Sequence, residues 1–170
     1  DTLDDYNVDS KRASDVPAPT LFTGALKNYT DAITHSNVNL NNFRLYVQYW
    51  ATTTYLDEPR YSMTSRLYSQ NFWTAIYRDV LSDLKEAKRI INDDALLAAG
   101  VKNNQLAQIQ ILEVMAWSTL VNTFSDIPYT DALDPSNSLP KYDDAATVYA
   151  DLLMHLDHAL GMLDPSFASF

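Results

Sequence analysis

The 170-residue sequence contains no cysteine, which excludes disulfides, thiolate metal sites and cysteine nucleophiles. Glycine is scarce as well. Gly24, Gly100 and Gly161 are the only three, too few and too scattered for a phosphate-cradling loop. Twelve basic residues stand against 22 acidic ones, a formal charge of −10. With no basic stripe to neutralise phosphates, nucleic acid is excluded as a partner, and simple electrostatic docking on an anionic membrane is disfavoured. No stretch approaches the ~20 apolar residues of a membrane-spanning helix. Glutamate is nearly absent: only Glu58, Glu86 and Glu113 accompany nineteen aspartates. Aspartate favours caps and turns, so the negative charge belongs at helix ends and in loops.

Against these absences, 46% of residues are hydrophobic, enough for the core of one ordinary domain or one lobe of something larger. Twenty aromatics, eleven of them tyrosine, exceed the usual share. Tyrosine combines an apolar body with a polar tip, which suits wet interfaces or stacking on sugar rings.

The apolar spacing predicts five helices and no strand, an all-α chain. Residues 1–16 are polar and aperiodic and read as an extended tail; residues 17–170 form the helical domain. Leu21, Phe22, Ala25, Leu26, Tyr29 and Ile33 share a face of the first helix. An Asn-rich turn, "SNVNLNN", leads into a second over Phe43–Tyr55, with Phe43, Val47, Trp50 and Thr54 in its stripe and Trp50 in the core. Pro59 marks a break over 56–66. Trp73, Tyr77, Val80, Leu84, Ala87 and Ile91 set the third helix, which Asp94 and then Gly100 stop. The fourth, about 104–124, carries two stripes, Ile109/Leu112/Ala116/Leu120 and Ile111/Val114/Trp117/Val121/Phe124, and so lies between neighbours. Pro128 ends it. Asp143 is the expected N-cap of the fifth, whose seam is Ala145, Tyr149, Leu152, Leu156, Ala159 and Leu163. The helix pairs read as antiparallel and stacked in series, tetratricopeptide-like, without a clean 34-residue repeat.

Several constellations bear on chemistry. Asp126, Asp131 and Asp134 place three carboxylates in one loop, a conceivable calcium set, but without the spacing or glycine of an EF-hand; turn and cap roles are favoured. His155 and His158, with Asp151 one turn earlier, have zinc-like spacing but lack a third convergent ligand, and read as boundary histidines. Glu113 has no evident second carboxylate for glycoside hydrolysis, and no Gly-x-Ser-x-Gly elbow occurs. Around the Pro59 break, Trp50, Tyr55, Tyr61 and Tyr68 gather with Asp57, Glu58 and Arg60. Aromatic faces stack on sugar C–H faces while polar neighbours bind hydroxyls; Tyr55, Arg60 and Tyr61, outside the periodic segments, are the candidate ligand contacts. Trp73, Tyr77 and Trp117 lie on seams and read as core. No catalytic residue, metal site or cofactor is expected.

Four segments taken in order carry a resemblance. They are "LDDYNVDSKRASDVPAPTLFTGAL", "NFWTAIYRDVLSDLKEAKRII", "QIQILEVMAWSTLVNTFSDIPYTDAL" and "KYDDAATVYADLLMHLDHALGML". The chain resembles the N-terminal helical part of the SusD/RagB family, in its SusD-like branch of outer-membrane nutrient-binding lipoproteins. Ser125 departs from the glycine usual before the Asp-Ile-Pro-Tyr turn. The resemblance implies a non-enzymatic, cell-surface protein of the outer membrane, anchored by an N-terminal lipid in a longer chain. It also implies capture of an oligosaccharide or a peptide for a TonB-dependent transporter of the SusC type. It fixes no ligand residue here. If the chain is a lobe, surplus apolar surface is expected, with Phe167 and Phe170 contributing. A tetratricopeptide-like protein-interaction module is the competing reading, and a helical hydrolase a third.

Overall fold

The structure, a computed structural model, describes residues 16–36, 42–62, 64 and 66–170. The expected tail, apart from Val16, and most of the Asn-rich turn lie outside the described residues. Helix α1 spans Ala18–Thr34, α2 Phe43–Tyr46, α3 Tyr68–Thr74, α4 Ser82–Asp93, α5 Ala99–Phe124 and α6 Ala145–Met162. A π-helical segment, Ala75–Leu81, joins α3 to α4 without a break, so 68–93 forms one rod. Among the described residues there is no strand; the one β feature is an isolated antiparallel bridge between Ile127 and Asp143. The chain is all-α, as its periodicity predicts.

Side-chain pairings set the directions. Asn28 of α1 donates to the Asp79 carbonyl at 3.1 Å, and Gly24 lies against Asp83, so α1 runs antiparallel to the rod. Lys88 pairs with Glu113, Tyr77 packs on Trp117 and Trp73 on Phe124, so the rod runs antiparallel to α5. Tyr149 bonds Asn122 and His158 bonds Gln110, so α5 runs antiparallel to α6. Tyr29 closes the arrangement from α1 by donating to the Met115 carbonyl and meeting Thr119 at 3.0 Å.

Helix α5 is the central member for the reason its two stripes predict: Ile109, Leu112, Ala116, Trp117, Leu120 and Val121 are buried between α1, the rod and α6. Each fully buried Leu or Ile here contributes roughly 1.5–3 kcal/mol. Helix α5 starts at Ala99, about a turn before its apolar spacing predicts. Gly100 does not stop the third helix, which ends at Asp94 in extended backbone; it sits in the first turn of α5, where a Cβ would collide with the Phe167 ring. Asn104, buried at that end, donates to the carbonyls of Asp164 and Phe167 and accepts from the Asp164 amide at 2.8 Å, tying down the C-terminal segment.

Three further expectations are corrected. Leu26 is exposed, and Ala18 and Ala32 bury instead. In α6, Leu152 and Ala159 of the expected seam are buried and Val148 joins them, but Tyr149 and Leu163 are exposed, as are Leu153, Met154 and Leu160. Of the C-terminal phenylalanines, Phe167 is 48% exposed and adds to the apolar surface as expected, whereas Phe170 stacks on Phe22 at 4.2 Å.

Candidate functional site

The segment after α2 departs most from helical expectation. Only four residues, Phe43–Tyr46, are helical, because Thr52, Thr53 and Thr54 resist helix and Gln48 turns left-handed (φ 60°). The amides of Tyr49 and Trp50 fold back onto the Arg44 carbonyl at 3.0 and 3.1 Å. Trp50 is therefore not core: it is 44% exposed, with the Arg44 guanidinium 4.7 Å above its ring.

From here to α3 the chain presents aromatic side chains outward. Tyr55 is 71% exposed and Tyr61 52% exposed, and both are left-handed at φ 60°. A non-glycine residue in that region costs on the order of 1 kcal/mol, so the surrounding contacts must hold each one there. Tyr61 is held by its amide bonding to the Glu58 carbonyl at 3.0 Å and by its hydroxyl donating to the Tyr46 carbonyl at 2.9 Å. Its ring lies over Tyr46 at 6.4 Å and 21°. Tyr55 has a different neighbour, the Arg66 guanidinium, 5.0 Å from its ring centre. Arg66 also donates to the Tyr68 hydroxyl at 2.6 Å.

The three candidate ligand residues thus share one loop but not one contact. Arg60 is exposed at the end of a 3₁₀ turn, Glu58–Arg60, and follows Pro59 directly. Glu58 does not offer the ligand-facing carboxylate its position suggests. It is 2% exposed, with one oxygen lacking a hydrogen bond and the Arg66 Nε 3.7 Å away. Burial and then the Glu58 charge push the Tyr46 hydroxyl above its ordinary range; burial and then hydrogen bonding to Glu58 do the same for Tyr68. Both phenols therefore stay neutral donors at physiological pH. Tyr46 and Arg66 were not singled out by sequence, because their roles depend on Tyr61 coming back against α2 and on Tyr55 and Tyr68 both meeting Arg66.

The aspartate-rich turn has a structural use. Asp143 is not the N-cap of α6; Asp144 is, accepting from the Thr147 amide at 2.9 Å. Asp143 instead reaches back to accept from the amides of Thr130 (2.7 Å) and Tyr129 (3.1 Å) and from the Thr130 hydroxyl. Asp126 accepts from the Ala145 amide at the start of α6, and Asp134 from Ser136. Ile127 and Pro128 are buried beneath. Asp151 accepts from the Tyr129 hydroxyl at 2.6 Å and lies 3.8 Å from His155, while His158 turns to Gln110. Glu113 is paired with Lys88 at 2.6 Å. Among the described residues no three His, Asp or Glu side chains gather as a metal would require, and no helix is long and apolar enough to cross a membrane.

Residues 10–169 match the SusD-like family, described as starch-binding and associating with the outer membrane. The chain belongs to the SusD-like family. No curated protein matches it. The family is one of binding proteins at the outer membrane. In this SusD-like chain, Ser125, standing where glycine was expected, adopts φ 67° and ψ −115° and caps α5 through its amide to the Val121 carbonyl.

Proposed function

We propose that this SusD-like chain captures glycan chains at the cell surface with the aromatic loop between α2 and α3, and passes them to a TonB-dependent transporter of the SusC type without breaking a bond. The observation that carries the reading is the outward presentation of Trp50, Tyr55 and Tyr61, each braced from behind by Arg44, Arg66 or Tyr46. Flat aromatic faces receive the C–H faces of pyranose rings, and Arg60 with the neutral Tyr46 hydroxyl supplies hydrogen-bonding partners. Loop contacts already in place lower the ordering cost of binding. Anchoring through an N-terminal lipid in a longer protein belongs to the same proposal.

Affinity electrophoresis through gels containing soluble starch and other polysaccharides, beside titration with short peptides, tests it. Retardation by at least one polysaccharide is expected. Binding of peptides with indifference to every glycan overturns it.

The exposed line Tyr149, Leu153, Met154 and Leu160 on α6 favours a second reading, a protein-interaction module built of stacked helix pairs, tetratricopeptide-like. It predicts that Leu153→Glu abolishes binding to a protein partner and leaves glycan retardation unchanged.

A further inference from the structure

Glu58 is buried where the residues flanking its turn are not. Tyr55 and Tyr61 are exposed on either side, yet the Glu58 side chain is 2% exposed and its Oε1 has no hydrogen-bond partner. A carboxylate taken out of water is costly unless it is fully paired and bonded, and this one is only partly so. An amide or apolar side chain of similar size would fill the same space without that cost, so packing does not call for the charge.

The groups around Glu58 show what the charge faces. The Arg66 Nε lies 3.7 Å from Oε1, and the arginine side chain is still 30% exposed. Arg66 donates to the Tyr68 hydroxyl at 2.6 Å, and that hydroxyl also hydrogen-bonds Glu58. Asp57 acts on Arg66 as well, more weakly than Glu58. From this junction the guanidinium lies over the Tyr55 ring at 5.0 Å and over the Tyr68 ring at 5.8 Å. Tyr55 has little else to hold it. Its backbone is left-handed, it is 71% exposed, and among the described residues its hydroxyl bonds nothing.

We infer that Glu58 is a positioning residue for glycan capture: its buried carboxylate fixes the Arg66 guanidinium against the Tyr55 ring, so that the ring stands in its binding position before the glycan arrives. The inference rests on the proposed glycan function and deepens it by naming the group that sets one of the loop's aromatic contacts. An untethered arginine side chain samples many rotamers. Tethered to Glu58 and Tyr68, its planar fork presents one face to Tyr55. A ring already held loses less freedom on binding than one the sugar must order. Being buried, Glu58 touches no sugar and acts through Arg66. Tyr61 stands outside this arrangement, because Tyr46 holds it and its amide bonds only the backbone carbonyl of Glu58. It is therefore the internal control.

The family's description as starch-binding makes linear maltoheptaose the probe, titrated calorimetrically. Glu58→Gln keeps the shape and removes the charge; it is expected to weaken binding about fivefold. Its unfolding midpoint in denaturant is expected to stay level or rise, because the partly solvated Arg66 tolerates a neutral neighbour. A pair serving structure alone would lower the midpoint instead. In a Tyr55→Ala background the same substitution is expected to change affinity by less than about twofold, whereas in a Tyr61→Ala background its full effect is expected. Arg66→Lys keeps the charge, lacks the planar fork and is expected to weaken binding as Glu58→Gln does; it carries the test should that variant fail to fold. Wild-type affinity in Glu58→Gln and Arg66→Lys, with Tyr55→Ala still weakened, overturns the inference and leaves the loop reading standing. An equal loss from Glu58→Gln with and without the Tyr55 ring overturns it too. Wild-type affinity in both Tyr55→Ala and Tyr61→Ala, or no binding of maltoheptaose by the wild type, counts against the loop reading and overturns the inference with it.

Discussion

The Tyr77 hydroxyl donates to the Pro128 carbonyl at 2.7 Å, joining the π-helical segment of the rod to the turn that follows α5. Burial pushes this phenol well above the usual tyrosine range, so it remains a donor at all physiological pH values. Its ring packs on Trp73 and Trp117, and Trp117 packs in turn on Tyr129, so one aromatic ladder fixes the turn from both sides. Tyr77→Phe keeps the ring and strands a buried carbonyl. The expected loss is about 1–2 kcal/mol in denaturant unfolding. An unchanged unfolding midpoint would show that the bond is not what holds the turn.

Asp143 is the second pin. Replacing it by alanine leaves the Thr130 and Tyr129 amides without their acceptor, at an expected cost of about 2–3 kcal/mol. Hydrogen exchange is expected to quicken at residues 127–130 while α1 and the rod keep their protection. Uniform loss of protection across all helices would contradict a local role.

The same carboxylates set the acid limit. The Thr130 amide holds Asp143 below the usual range; the Thr147 amide does so for Asp144, and the Ser136 and Ser166 hydroxyls for Asp134 and Asp164. A carboxylate with a depressed folded pKa contributes stability that is complete above the unfolded value near 3.9 and is lost as pH falls through the folded value. Asp83 has the opposite sign: burial and then Asp79 raise its pKa, so its destabilising charge is relieved on mild acidification. Stability is therefore expected to hold or rise slightly toward pH 5 and to fall steeply below pH 4. Thermal melts over pH 2–7 check this; a fall centred near pH 6 would be inconsistent with it.

Long, strongly patterned helices were legible in the sequence. The rod and α5 repeat apolar residues over many turns, and packing then decides the outcome in the direction the pattern gives. Legibility failed where local chemistry overrode a short pattern. Phe43, Val47, Trp50 and Thr54 have helical spacing, yet a threonine run and a left-handed Gln48 end the helix at Tyr46. Adjacent Asp143 and Asp144 look interchangeable as caps, and only the position of Thr130, thirteen residues back, separates their roles. Glu58 reads as a surface charge beside Pro59, but the 3₁₀ turn points it inward.

Ser125 offers a prediction of gain. At φ 67° and ψ −115° a side chain is strained where glycine is not. Ser125→Gly is expected to stabilise by about 1 kcal/mol, moving Tm up by roughly 2–4 °C. A decrease would mean that the serine makes a compensating contact.

The central claim is that the exposed rings of the loop hold glycan. The direct measurement is calorimetric titration of a retained polysaccharide's oligosaccharide against Tyr55→Ala, Tyr61→Ala and Tyr61→Phe, with Tyr149→Ala on α6 as the aromatic substitution outside the loop. Tyr55→Ala and Tyr61→Ala are expected to weaken binding at least about tenfold each; Tyr61→Phe, which keeps the ring and loses the bond to the Tyr46 carbonyl, is expected to weaken it less, and Tyr149→Ala to stay near wild type. Full affinity in both loop alanine variants, or an equal loss in Tyr149→Ala, would contradict the account.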